Sequence, residues 1–188
     1  MDMEQTQPQP QERRPDSLKE AFEWIESFIG VLAPLLLVMA LLGRPATVFG
    51  ISMMPTLQEG DRLLLQQIAY EPQLGDVVVI DRNTQEESNL IKRVIGCAGD
   101  VIDIDFQQGV VYRNGEALDE PYINEPTFLQ MDVEFPVTVP EGCIFVMGDN
   151  RNHSDDSRDS EIGMVDTRRV MGKALFRFFP LDRIGGIS

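Results

Sequence analysis

Hydrophobic and polar positions divide the chain into one long apolar run and a series of shorter apolar runs. Residues 27–43 carry no charge and lie between Glu26 and Arg44. The later runs are rich in valine, isoleucine and leucine and are separated by turn-forming residues, which is typical of β-strands. The predicted strands lie at residues 63–65, 76–80, 90–95, 101–106, 143–147 and 170–179. The pattern therefore predicts an antiparallel β domain that follows an apolar helix.

Two segments between the predicted strands carry turn or loop signals. Asn114-Gly115 is the strongest short-range signal for a β-hairpin, because such turns require a left-handed backbone that these residues accept. Prolines recur through residues 121–140, between charged and apolar patches. This composition predicts a long surface loop.

We interpret the apolar run as a retained membrane anchor. Ser17 is a suitable N-cap with Glu20 three residues later, so a helix is predicted to begin there. The run is at the short end for a membrane crossing, which needs about 20 mostly apolar residues, and Trp24 and Phe28 can extend it. A soluble core helix is an alternative because the run is short. A cleaved signal peptide is another, but Arg44 lies where a small residue is needed before the cut.

Basic residues on either side of the run determine its predicted orientation. Arg13, Arg14 and Lys19 precede it, and Arg44 and Arg62 follow it. The positive-inside rule therefore places the N-terminus in the cytoplasm. The predicted parts are a disordered cytoplasmic tail at residues 1–16, a helix and anchor at 17–44, and an extracytoplasmic β-rich domain at 45–188.

Composition and charge exclude several classes of function. The formal net charge of −15 disfavours a nucleic-acid partner, since phosphate binding needs a basic surface. Cys97 and Cys143 lack metal-ligand spacing and His153 is the only histidine, so no metal or other cofactor is predicted. The cysteines fit either two free thiols, which we favour, or one disulfide in an oxidising compartment.

Residues 49–57 contain a candidate nucleophile, Ser52. Gly50 permits an unusual turn before it. Pro55 restricts Met54 to an extended conformation after it. The Ser52 hydroxyl is therefore expected to project from a stiff, non-helical segment. A serine hydroxyl is unreactive at its own pKa, so a nucleophilic role requires a base elsewhere in the chain.

Lys92 is the candidate base. It lies within the predicted strand at residues 90–95, whose neighbours on a buried sheet are apolar. Burial lowers the pKa of a lysine from about 10.4 and leaves a neutral amine that accepts the serine proton. The alternative, which Lys92 taken alone favours, is an edge-strand lysine that prevents aggregation. His153 is a rival base, although a single histidine in a polar loop is usually a solvated residue.

The third candidate segment is residues 148–158, which follow a predicted strand and are dense in turn formers. A solvated loop is the simplest interpretation. Such a corner can also fix a hydroxyl and a carboxylate in place. Asp156 and Arg158 can pair and brace the loop, while Ser154 can orient a nearby amine.

Four motifs, in this order, resemble those of type I signal peptidases. They are residues 52–56 (Ser-Met-Met-Pro-Thr), 75–79 (Gly-Asp-Val-Val-Val), 91–96 (Ile-Lys-Arg-Val-Ile-Gly) with Gly99-Asp100, and 148–158 (Gly-Asp-Asn-Arg through Ser154 to Arg158). Each motif is modest alone, but four in order after an apolar run are highly specific. The resemblance extends from about residue 28 to the C-terminus.

The resemblance implies a membrane-bound serine endopeptidase with a Ser/Lys dyad. Ser52 matches the nucleophile and Lys92 the general base. Ser154 matches the serine that helps to position the lysine amine, and Asp156 and Arg158 match residues that support the site. The implied fold is mainly β, with the curved antiparallel, barrel-like sheet that these peptidases share with LexA-type self-cleaving repressors.

The sequence departs from some members of this family. Some carry a serine two residues before the nucleophile that helps to bind the oxyanion. Here that position is Gly50, so the Ser52 backbone N–H is expected to carry more of the oxyanion stabilisation. With lysine at position 92, the chain resembles the bacterial or organellar members of the family, since members of the endoplasmic-reticulum type have histidine at this position. Ile51 and Met53, which flank the nucleophile, are candidate substrate-binding residues.

The implied substrates are signal peptides of secreted pre-proteins, with small residues at the first and third positions before the cut. Their extended cleavage region can pair with a strand of the sheet. The implied partners are these peptides and the lipid bilayer, without nucleic acid or metal. The implied location is the plasma membrane, with the catalytic domain on the outer face; a thylakoid membrane is the alternative.

Two other functions stay open. A LexA-like self-cleaving protease uses the same dyad on its own chain, but residues 1–26 are too short and too acidic for the usual DNA-binding module. A non-catalytic, membrane-anchored β domain that binds partner proteins is the alternative from a different class. The presence of Ser52, Lys92 and Ser154 argues against it.

Overall fold

The computed structural model of the protein describes residues 17–82 and 89–187. The chain forms two compact units, with the division between Leu41 and Leu42. The predicted disordered tail at residues 1–16 lies outside the described residues.

The first unit is built on helix α1, Ser17–Leu42. The predicted helix start is confirmed, with Glu20 in the first turn, although Ser17 is itself the first helical residue. Pro34 lies inside the helix, and the side chains of residues 19–35 are exposed. In the part of the chain that the structure describes, no helix has the length and apolar character that a membrane crossing requires.

The second unit consists mainly of short β-strands. Those of the described residues are β1 (Gly43–Thr47), β2 (Arg62–Gln66), β3 (Val77–Ile80), β4 (Leu90–Cys97), β5 (Val101–Asp105), β6 (Val110–Arg113), β7 (Glu116–Ala117), β8 (Val137–Thr138), β9 (Cys143–Met147), β10 (Val165–Asp166), β11 (Val170–Phe179) and β12 (Gly185–Gly186). All six predicted strands are present, so the mainly β prediction is confirmed. Three short 3-10 helices complete the described structure, at Arg151–His153, Thr167–Arg169 and Leu181–Arg183.

The larger sheet has the strand order β1-β2-β11-β3-β4-β9-β10, and β12 pairs with β11. Its pairs are antiparallel, as predicted. Strand β4 lies between β3 and β9, with Lys92 opposite Val78. The interpretation of Lys92 as an edge-strand lysine is therefore wrong, because β4 is paired on both sides and its residues 91–96 are buried.

The smaller sheet has the order β7-β6-β5-β8. The predicted hairpin is confirmed, since Asn114 and Gly115 join β6 to β7 with φ angles of 54° and 82°. The predicted surface loop at residues 121–140 is only partly correct. It contributes β8 to this sheet, and Thr127 and Val139 within it are buried.

Packing beneath residues 49–57 fixes the position of the candidate nucleophile. Met53 and Leu57 are buried in a cluster with side chains from β2, β3 and β4. Leu63 and Leu65 contribute from β2, and Ile91 from β4. Each such side chain contributes about 1.5–3 kcal/mol through burial. Val48 belongs to the same cluster, so buried side chains hold the loop against the sheet both before and after Ser52 in the chain.

Candidate active site

Ser52 lies in the turn-rich connection between β1 and β2, and its side chain is half-buried. Gly50 has a φ of 75°, a backbone conformation that favours glycine. The Met54 N–H donates to the Ile51 carbonyl at 3.1 Å and the Leu57 N–H to the Met53 carbonyl at 2.8 Å. The predicted non-helical setting of Ser52 is therefore observed.

The Ser52 hydroxyl contacts the amine of Lys92. The Lys92 Nζ donates to Ser52 Oγ at 2.8 Å, and Lys92 is only 3% exposed. This burial lowers the pKa of Lys92 to about 8, although the negative charges of Asp156 and Asp155 partly oppose the shift. At pH 7 about a tenth of the amine is then neutral. A neutral amine at this distance can accept the hydroxyl proton.

Ser154 lies beside Gly148, close to the Ser52 backbone, but its hydroxyl is not bonded to Ser52 or Lys92. Its side chain is buried, and among the described residues its Oγ has no hydrogen-bond partner. A Cβ on Gly148 would lie 2.3 Å from Ser154 Oγ and 2.5 Å from the Ser52 carbonyl oxygen. Gly148 thus separates Ser154 from the Ser52 backbone, and only a glycine leaves room for both. The predicted contact of Ser154 with the lysine amine is not observed here.

Asp156 and Arg158 form a buried ion pair. Arg158 Nε donates to Asp156 Oδ1 at 2.8 Å and Nη2 donates to Oδ2 at 2.9 Å. Asp156 also accepts the Gly148 N–H at 3.0 Å. Arg158 donates to the carbonyls of Leu129 at 3.0 Å and Arg151 at 2.5 Å. The pair braces the loop at residues 148–158, as expected, and fixes Gly148 beneath Ser52.

A second buried ion pair was not predicted from the sequence. Arg93 Nε and Nη2 donate to the two carboxylate oxygens of Asp149 at 2.8 and 2.7 Å. Thr56 Oγ1 donates to the same carboxylate at 2.5 Å, and Arg93 lies over the Tyr122 ring at 3.9 Å. Since Arg93 follows Lys92 in β4, its side chain leaves the strand on the opposite face. One strand therefore supplies both the candidate base and an arginine that is linked through Asp149 to residues 49–57, the nucleophile loop.

The remaining candidate residues differ in how exposed their side chains are. Met53 is 1% exposed, so its side chain offers no surface to a substrate, whereas Ile51 is 49% exposed. His153 is exposed, in the 3-10 helix Arg151–His153. The structure thus brings Lys92, and not His153, into hydrogen-bond contact with Ser52.

The cysteines and acidic residues do not form a metal site in the described structure. Cys97 and Cys143 are both free thiols. Over residues 17–82 and 89–187, no group of three or more histidine, cysteine, aspartate or glutamate residues is arranged to hold a metal ion.

Comparison with known proteins gives consistent matches over most of the chain. Residues 21–179 match the family described as "Signal peptidase, peptidase S26". Signal peptidase I of Bacillus licheniformis is 37% identical over 184 residues, covering 93% of this chain and 97% of that protein. The probable signal peptidase I-1 of Synechocystis sp. is 40% identical over 179 residues, covering 86% and 88%. A crystal structure of a signal peptidase I from Enterococcus faecalis V583 is 32% identical with a TM-score of 0.44, covering 55% of this chain and 97% of that one. The chain therefore belongs to the signal peptidase family, peptidase S26.

Proposed function

We propose that this chain is an endopeptidase that removes N-terminal signal peptides from exported pre-proteins, with Ser52 as nucleophile and Lys92 as general base. The observation that carries the proposal is the 2.8 Å contact between Ser52 Oγ and the buried Nζ of Lys92. Membership of the family, with relatives named signal peptidase I, supports the choice of substrate.

In the proposed acylation step, neutral Lys92 takes the Ser52 proton while Oγ attacks the scissile carbonyl carbon. The Ser52–substrate bond forms and the carbonyl π electrons move to the oxygen. The resulting Lys92 ammonium then protonates the leaving amine as the peptide bond breaks. The lowered pKa of Lys92 suits both roles, because a base whose pKa lies near the working pH releases its proton as readily as it accepts one.

In the proposed deacylation step, Lys92 takes a proton from a water molecule that attacks the acyl-enzyme ester. The Ser52 oxygen leaves and is protonated by Lys92, which restores the starting state. Ser154, Asp156 and Arg158 are proposed to support the site. The ion pair of Asp156 and Arg158 maintains the loop on which Ser154 lies.

The proposed oxyanion donor is the backbone N–H of Ser52. Gly50 offers no side-chain hydroxyl, so main-chain donors carry this stabilisation. Removal of one oxyanion donor typically costs about 10²–10³-fold in kcat. The proposed substrates have small residues at the first and third positions before the cut, and the half-exposed Ile51 is the better placed of the two flanking residues to contact them.

The lipid bilayer is the second proposed partner, with α1 as the anchor; the proposal rests on sequence and surface character, since no described helix has the length and apolar character of a membrane crossing. Support comes from the uncharged run at residues 27–43 and from the large apolar side chains that α1 exposes. Those side chains are Phe22, Trp24, Ile25, Phe28, Ile29, Val31, Leu32 and Leu35. An apolar surface of this kind marks contact with lipid or protein. The proposed setting is the plasma membrane with a cytoplasmic N-terminus, or alternatively a thylakoid membrane; resistance of the chain to alkaline extraction from membranes tests it.

The test of the activity is cleavage of a pre-protein with an Ala-x-Ala site by wild type, Ser52→Ala and Lys92→Ala in detergent. Lys173→Ala is the matched control, because Lys173 lies in β11 of the same sheet and pairs with Asp76 rather than with Ser52. We expect cleavage after the site by wild type and the control only, with all four proteins folded by circular dichroism. An inert wild type would favour the partner-binding alternative. Shortening of the enzyme's own chain instead of the pre-protein would favour the self-cleaving one.

A further inference from the structure

Asn150 contacts the peptide groups on both sides of the Ser52 side chain. Its backbone N–H donates to the Ser52 carbonyl oxygen at 2.9 Å. Its side-chain Nδ2 donates to the Ile51 carbonyl oxygen at 3.1 Å. Asn150 is 4% exposed, so water competes little for either bond. One residue therefore holds two consecutive peptide planes of the nucleophile loop.

The Asn150 side chain does not cap the 3-10 helix of its own loop. Asn150 is the N-cap of the 3-10 helix Arg151–His153, yet it makes no side-chain capping bond. An asparagine at this position ordinarily accepts a backbone N–H of the helix that follows. Here Oδ1 has no partner among the described residues, while Nδ2 reaches a carbonyl 99 residues earlier in the chain. The side chain is thus committed to the nucleophile loop.

The Asn150 bond to Ile51 fixes the direction of the Ser52 N–H, together with the Met54 N–H, which donates to the same carbonyl oxygen at 3.1 Å. The peptide unit that joins the two residues is planar, and its C=O and N–H point in opposite directions when it is trans. Fixing the Ile51 oxygen therefore fixes the Ser52 N–H. A hydrogen bond to the carbonyl also polarises the amide and strengthens its N–H as a donor. Among the described residues this N–H has no acceptor, which leaves it available.

We propose that Asn150 is a positioning residue for the oxyanion site, which acts through the Ile51 carbonyl to aim the Ser52 N–H at the substrate oxygen. The inference rests on the proposed function, because an oxyanion forms only if Ser52 attacks a carbonyl. Asn150 itself contacts no reacting atom. It strengthens a hydrogen bond that is made fully only in the transition state, so its loss acts on kcat rather than on substrate binding.

The test uses Asn150→Leu, which keeps the shape of the side chain but has no donor, together with Asn150→Ala. The backbone bond to Ser52 survives in both. We expect kcat to fall about 10- to 100-fold while KM stays within about twofold. The pH midpoint of kcat/KM, which reports Lys92, is expected to stay unchanged. The inhibition constant of a substrate-like peptide aldehyde, whose adduct with Ser52 places an oxygen in the oxyanion site, is expected to rise by the factor by which kcat/KM falls.

Asn152→Leu is the matched control. Asn152 lies in the same loop, but its Oδ1 accepts the N–H groups of Phe128 and Leu129 at 2.9 and 2.8 Å. The variant Asn152→Leu is expected to lower the Tm without lowering kcat.

The inference is overturned if folded Asn150→Leu keeps the wild-type kcat, loses activity through KM, shifts the pH midpoint or binds the aldehyde normally. Unfolding of Asn150→Leu would also overturn it, because the role would then be structural. A wild type that is inert on every small-x-small substrate is a different result. It removes the proposed function, and the inference with it.

Discussion

The Ser52 carbonyl oxygen passes so close to Gly148 that a Cβ at position 148 would lie 2.5 Å from it. The two residues are held there by neighbours on both sides. The Asn150 N–H donates to the same carbonyl oxygen at 2.9 Å, and Asp156 accepts the Gly148 N–H at 3.0 Å. The two backbones therefore cannot move closer or apart without losing a hydrogen bond or creating a clash. This contact sets the distance between the nucleophile loop and the loop at residues 148–158.

Gly148→Ala is expected to reduce kcat/KM by about 10²-fold or more. The added methyl group must displace either the Ser52 backbone or Ser154, and a shift of about 1 Å in a reacting group can cost 10²-fold. The measurement is steady-state cleavage of a signal-peptide substrate. Gly185→Ala is the control, since a Cβ at that position meets nothing within 4 Å. Full activity of Gly148→Ala would show that the close contact is not needed for the reaction.

The pH dependence of kcat/KM should report the amine of Lys92. Only the neutral amine accepts a proton, and burial lowers the pKa of Lys92 to about 8. Activity is therefore expected to rise about tenfold per pH unit below 8 and to level off above it. The profile is measured with a substrate that does not itself titrate between pH 6 and 9. A profile that is flat across this range would remove Lys92 as the general base.

Asp149→Asn is expected to destabilise the protein by about 3 kcal/mol or more. The substitution removes the negative charge of Asp149 from its buried ion pair with Arg93, and breaking a buried pair from one side is costly. It also weakens the hydrogen bond that Thr56 of the nucleophile loop donates to this side chain. The free energy of unfolding by urea measures the effect. Asp166→Asn is the control: Asp166 also pairs with an arginine, Arg168, but at the surface, so no measurable change is expected.

The strand pattern and the motif order predicted much of this architecture. Alternating or continuous apolar runs predicted β5 and β9, because the apolar residues of these strands are buried. An apolar run also predicted β11, although most of its large apolar side chains are exposed. Strand β1 was missed, since Gly-Arg-Pro-Ala-Thr has no apolar alternation. It forms through its pairing with β2, from Gly43 opposite Gln66 to Thr47 opposite Arg62. Tertiary pairing overrode local propensity there.

Some contacts of the candidate site were predicted from the sequence, and others were not. The pairing of Asp156 with Arg158 could be predicted because only one residue separates them in the same loop. The pair of Arg93 and Asp149 spans 56 residues, and no local pattern indicates which acidic residue a buried arginine will meet. The burial of Met53 was also missed. Ile51 and Met53 would lie on the same face of a strand, but they lie in a turn, where Met53 is buried and Ile51 is exposed.

Lys92→Met is expected to abolish activity and to stabilise the protein. The pKa of Lys92 falls from 10.5 to about 8 on folding, so the unfolded chain binds more protons between these values and the stability of wild type rises with pH there. Below pH 8 the buried ammonium costs about 3 kcal/mol relative to the unfolded chain. Methionine has a similar length and no charge, so it removes this cost at pH 7.

The measurement compares the free energy of unfolding of wild type and Lys92→Met at pH 7 and at pH 9.5. The variant should be more stable by up to about 3 kcal/mol at pH 7, and its advantage should shrink by about 2 kcal/mol at pH 9.5, because wild type recovers stability as Lys92 loses its proton. Taking the difference between the two proteins cancels the other titrating groups. A variant that is less stable than wild type at pH 7 would mean that the bond from Lys92 to Ser52 outweighs the cost of burying the amine.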